Sequence, residues 1–76
     1  MIISMTPTQS KMARVALKWT TDDLAEHASV GRMTVARFER GDGVAAESVE
    51  KMSKALTAAG VDFSRKAGRV GVTVPE

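Results

Sequence analysis

The chain has no cysteine, so neither a disulfide framework nor a thiolate metal site can lend it stability. That absence fits a reducing, cytoplasmic home. No apolar run approaches the ~20 residues of a membrane span, and no membrane partner is expected. The opening MIISMTP, residues 1–7, lacks a cationic stretch followed by a long apolar one, so no secretory signal is expected either. Also missing are a glycine-rich phosphate loop, an HExxH pair and a cysteine nucleophile. The single histidine, His27, stands alone on a helix and reads as an exposed residue. An enzyme is therefore not expected, nor a cofactor, a metal or a small-molecule ligand.

What is present is modest in size and ordinary in composition. With 76 residues, one domain is expected, and a chain this short buries only roughly 60–65% of its unfolded surface. Pairing with a second copy is the remaining route to more burial. The 43% apolar and 26% charged fractions suit a folded domain. Net charge is +2, with the excess unevenly placed: residues 1–41 hold six basic and four acidic side chains. Residues 42–60 hold two and three, and residues 61–76 three and two.

Thr6-Pro7-Thr8-Gln9 is a helix start, with a capping threonine, proline at the first position and glutamine completing a capping box. Helix 1 is expected over about 7–17, with Met12, Ala13, Ala16 and Leu17 on its inner face and Lys11, Arg14 and Lys18 away from it. Thr20 caps a second helix over about 21–28, whose first turn holds Asp22 and Asp23 at the positive end of the dipole. Leu24, Ala25 and Ala28 form its apolar stripe, and Ser29-Val30-Gly31 breaks it. Helix 3 spans about 32–39. Successive steps of ~100° put Arg32, Met33, Ala36 and Arg37 on one arc, with Val35 and Phe38 opposite. Two arginines flanking a methionine suit a face that reads a groove. Helix 4 runs over about 46–59, with Val49, Met52, Leu56 and Ala59 inward, a poor cap in Ala45, and Gly60 as the left-handed stop. Beyond it, Val61, Phe63, Val70, Val72 and Val74 alternate as in strands. A hairpin is expected, 61–63 pairing with about 71–74, with the SRKAGR stretch as its loop.

The segment WTTDDLAEHASVGRMTVARFERG, residues 19–41, resembles the phage-repressor helix-turn-helix family of Cro/CI-like, XRE-type regulators. The likeness rests on Trp19, Thr20, Asp22-Asp23, Leu24-Ala25, Ser29-Val30-Gly31 and Glu39-Arg40-Gly41, and extends over about 6–60. Three positions depart from the family pattern. Lys18 and Ser29 replace usual glycines, and Gly31 replaces the usual capping Ser/Thr of helix 3.

The resemblance implies a mainly α fold: a lambda-repressor-like bundle of four to five short helices, here with a small C-terminal β-hairpin over 61–76. The alternating valines of that tail are expected to be buried in a homodimer that uses the tail, helix 4, or both. It implies a transcriptional regulator, a repressor or dual regulator, that binds a palindromic operator in double-stranded DNA as a homodimer. Helix 3 would lie in the major groove. The positions matching the family's base readers are Arg32, Met33 and Arg37; those matching phosphate contacts are Thr20, Thr21, Thr34 and Arg40. Each has a plainer role beside this one: solvated charge for the arginines, packing on a neighbour for Met33, helix capping for Thr20. Lys11, Lys18, Lys51 and Lys54 read as helix surface. Glu39 either pairs with Arg14 or stands solvated, and Trp19 reads as core packing. Two further roles use the same fold, an antitoxin that represses its own operon and a protein-binding antagonist without DNA binding.

Overall fold

The computed structural model describes residues 5–76; of the segment read for a signal, residues 1–4 lie outside it. Four helices are followed by a two-stranded hairpin: α1 (Pro7–Ala16), α2 (Thr21–Ala28), α3 (Arg32–Arg40), α4 (Ala46–Ala58), β1 (Asp62–Lys66) and β2 (Arg69–Thr73). The helix starts follow their caps. The Thr6 hydroxyl accepts from the Gln9 amide at 3.1 Å while Gln9 Oε1 accepts from the Thr6 amide at 3.0 Å. Thr20 and Asp23 repeat the exchange at 3.0 and 2.8 Å. The ends follow the left-handed residues, with Gly41 closing α3 at φ 95° and Gly60 following α4 at φ 96°.

Leu24, Val35, Phe38, Met52, Leu56 and Val61 form the centre of the core with Ala13, Ala25 and Ala28. Helix α1 enters this core turned from its apolar stripe. Ala13 is buried and Leu17 packs against the core, but Met12 and Ala16 face solvent, and Gln9 and Ser10 take the inward places. Polar side chains occupy those places because each is hydrogen-bonded there, which removes the main cost of burying them. Arg14, expected on the outer side, is drawn inward by a carboxylate described below.

The hairpin is longer than the valine alternation indicates. Asp62 pairs with Thr73, Phe63 with Val72, Ser64 with Gly71, Arg65 with Val70 and Lys66 with Arg69. Only Ala67 and Gly68 remain as loop, at φ 51° and 77°, the sign at both positions that a type I′ turn needs. Ser64, Arg65, Lys66 and Arg69 are exposed strand residues, so nothing in their hydrophobicity marks them as strand. Phe63, Val72 and Val74 rest on the helical core, and the Pro75 ring closes over Gly60, where a Cβ would lie 2.7 Å from its Cγ. Gln9 fastens the hairpin to α1: its Nε2 donates to the Ser64 carbonyl at 2.9 Å and to the Gly71 carbonyl at 3.1 Å.

Two of the family glycine positions are left-handed here without glycine, Lys18 at φ 63° and Ser29 at φ 57°. An L side chain in that region costs about 1–2 kcal/mol, partly offset by the greater freedom glycine gives the unfolded chain. Ser29→Gly is therefore expected to stabilise the protein by about 0.5–1 kcal/mol, raising its melting temperature by a few degrees. A melting curve that falls on substitution would contradict this reading of the turn.

Candidate nucleic-acid interface

Helices α2 and α3 are joined by the short turn at Ser29-Val30-Gly31, and Val35 and Phe38 lock α3 into the core from below. The opposite face of α3 is thereby fixed outward. Arg32, Met33 and Arg37 are exposed on it, Met33 at 56%, and Ala36 between them is half-buried. A fully mobile methionine in water is an unfavourable use of apolar surface. Flanked by two guanidinium groups, it forms a small patch that offers two forked donors and one soft apolar contact. Gly31 caps α3 without a side-chain bond; the Thr34 amide donates to the Gly31 carbonyl at 3.0 Å, and the two amides before it keep their donors for another acceptor.

Thr20, Thr21, Thr34 and Arg40 fall at the start of α2 and along α3. Thr20 and Thr21 are at the N-terminus of α2, where unpaired amides and the dipole favour an anion. The Thr20 hydroxyl accepts the capping bond from Asp23 and retains its own proton for donation. Thr34 is half-buried in the first turn of α3. Arg40 lies at the far end of the helix, where its Nη2 meets Asp42 Oδ2 at 2.8 Å in an exposed ion pair. Arg32 approaches Asp22 of α2 at 3.8 Å with both side chains largely exposed. These two carboxylate neighbours do not stand out in the sequence, although the short spacing of Arg40 and Asp42 carries the signal. Exposed pairs of this kind are worth little and exchange readily for another anion.

The orientation of α3 is set from behind by one buried ion pair. Arg14 Nη2 donates to Glu39 Oε1 at 2.9 Å, with side chains only 13% and 7% exposed. Arg14 Nε donates to both carboxylate oxygens, and Nη1 to the Trp19 carbonyl at 3.0 Å. Ser10 Oγ donates to Glu39 Oε2 at 3.0 Å. One carboxylate near the end of α3 is thus tied to α1 and, through Arg14, to the chain entering α2. Trp19 packs at the edge of the core, as expected, and also stacks on the exposed His27 ring, with centroids 4.1 Å apart and planes 1° from parallel.

Among the described residues no helix is long and apolar enough to cross a membrane. A family model described as helix-turn-helix matches residues 11–59, from within α1 to the end of α4 and short of the hairpin. No curated protein matches the chain.

Proposed function

The chain belongs to the phage-repressor, Cro/CI-like helix-turn-helix family of DNA-binding regulators, and from that premise we propose that it binds a palindromic operator in duplex DNA as a homodimer, each copy placing α3 in the major groove. The exposed Arg32–Met33–Arg37 face carries this reading. Arg32 and Arg37 each donate two hydrogen bonds to guanine O6 and N7, and Met33 meets a thymine methyl. Half-buried Ala36 lets the helix approach the base edges closely. Thr20, Thr21, Thr34 and Arg40 hold phosphates on either side and fix the register without reading sequence. Bound in this way in the cytoplasm, the protein regulates transcription as a repressor or a dual regulator. It needs no cofactor for this.

Reading and holding separate by substitution. Arg37→Ala is expected to cost about 1–3 kcal/mol per half-site and to relax preference at one symmetric base pair. Thr21→Ala should weaken binding to all sequences nearly alike. Selection of bound duplexes with each variant, after circular dichroism has shown both folded, makes the comparison. An Arg37→Ala protein that binds less tightly yet keeps an identical base preference would mean that α3 is docked differently.

Support for a second copy comes from α1 and β2. The inward side chains of α4 are used up in the core, whereas Met12 is 38% and Val15 58% exposed. Both line an open groove with Ala16 and Val72. Dimer formation through this face predicts that Val15→Glu yields a folded monomer by light scattering. An undiminished dimer would move the interface elsewhere on the chain.

A further inference from the structure

The sixteen residues after α4 and its Gly60 stop carry three cations and two carboxylates, and the hairpin separates them along its length. Asp62 begins β1, opposite Thr73, and Glu76 ends the chain, so both belong to the base of the hairpin. Arg65, Lys66 and Arg69 are all at the tip and all exposed. None of them takes part in the ion pairs formed among the described residues. Lys66 and Arg69 are direct cross-strand partners, an arrangement in which like charges oppose strand pairing. The turn between them places Ala67 at φ 51°, a position at which such turns favour Asn, Asp or Gly.

Each of these features works against the hairpin as a folded object. Three cations crowd one end although two carboxylates are available in the same segment. An anion seated beside Lys66 and Arg69, which share one face of the hairpin while Arg65 lies on the other, turns their mutual repulsion into shared attraction. The residues around the turn, Arg65 to Val70, line a shallow hollow of about 330 Å³. Guanidinium forks and an ammonium group are the donors that phosphate oxygens accept from best. The backbone leading to the tip is anchored, because Gln9 donates to both strands and Phe63 and Val72 rest on the core. Only the side chains of the tip then have to be ordered on meeting a ligand.

We propose that this hairpin tip is a second phosphate-binding element, holding the DNA backbone outside the bases read by α3; it rests on the DNA-binding reading above. Duplex DNA supplies one phosphate charge per roughly 1.7 Å of axis. The longest dimension of the protein is 31 Å, less than one duplex turn of about 34 Å, so one turn of flanking DNA is long enough to cover the distance from α3 to the tip. An acidic protein is the weaker occupant. Protein interfaces need a desolvated apolar or aromatic centre, and the turn itself offers only Ala67 and Gly68.

The test compares the wild type with the triple variant R65Q/K66Q/R69Q on two duplexes. One carries the selected operator with about one helical turn of flanking DNA on each side, ~10 base pairs; the other is trimmed to the operator. On the longer duplex the variant should show a shallower fall of log K with log salt, by nearly one for each phosphate that the tip no longer neutralises. Its affinity at physiological salt should be roughly tenfold or more weaker, while its preferred base sequence stays the same. On the trimmed duplex the two proteins should converge. The variant should also melt at or above the wild-type temperature in low salt, because repulsion has been removed. Equal slopes and affinities on the longer duplex overturn the proposal and leave the α3 reading standing, as does a variant that melts well below the wild type. A wild type that binds neither duplex overturns both.

Discussion

Glu39→Ala should cost the protein about 3–5 kcal/mol, the usual consequence of removing one partner from a buried ion pair. The Arg14 guanidinium, on a side chain only 13% exposed in the intact protein, would be left without its carboxylate, and the fully buried Ser10 hydroxyl would lose its acceptor. A domain of this size has only about 4–11 kcal/mol in total, so the variant should be close to unfolding at physiological temperature. The attraction between the two charges is not the source of most of this loss. It is the desolvated charge left behind, and a double substitution tells the two apart. Arg14→Met combined with Glu39→Leu removes both charges and keeps apolar volume, and should destabilise less than Glu39→Ala alone. Urea titrations followed by circular dichroism measure all three proteins. A loss below about 1 kcal/mol for Glu39→Ala would place the pair among solvated surface ion pairs and remove the brace that orients α3.

Gln9→Leu should cost on the order of 3 kcal/mol, although it replaces a polar side chain in a nearly dry site by an apolar one of similar size. Gln9 is 1% exposed. Its carboxamide oxygen accepts from the Thr6 amide, and its nitrogen donates to the Ser64 and Gly71 carbonyls. Leucine strands three backbone groups together, and the hairpin loses its attachment to α1. Gln9→Glu should be worse near neutral pH, because a carboxylate then points at two carbonyl oxygens. Burial and that repulsion raise the folded-state pKa of such a glutamate above its unfolded value of about 4.3. Its deficit should therefore shrink as pH falls toward the unfolded value and be fully present above the raised one. Melting curves across that range give the result. A glutamate variant as stable as the wild type at pH 7 would mean that the hairpin does not depend on this grip.

The parts of the fold legible in the sequence are those with local causes. Thr6 and Thr20 mark helix starts because a capping box is complete within four residues, and Gly41 and Gly60 mark ends because the chain must turn left-handed there. The outward face of α3 is legible because Val35 and Phe38 leave only one way for that helix to sit. The inward turn of α1 is not. Met12 reads as internal, yet it faces solvent, and Gln9, read only as part of a capping box, takes an inward place through hydrogen bonds to residues more than fifty positions away. The extent of the hairpin is hidden for a related reason. Its outer pairs, Ser64 with Gly71 and Lys66 with Arg69, are held by backbone geometry and leave no apolar alternation. At the candidate interface, Arg32, Arg37 and Arg40 are exposed and Thr21 and Thr34 half-buried, while the Asp22 and Asp42 partners of Arg32 and Arg40 depend on side-chain reach.

Selection of bound duplexes from a random pool by the full chain examines binding, base preference and symmetry together. If α3 reads the major groove in a homodimer, a two-fold symmetric site should be enriched, with guanines in each half at the positions facing Arg32 and Arg37. The half-sites should be centred about 10 base pairs apart, one duplex turn, or a multiple of it. A bound pool indistinguishable from the starting one would contradict sequence-specific reading by α3, and an enriched site without two-fold symmetry would contradict the homodimer.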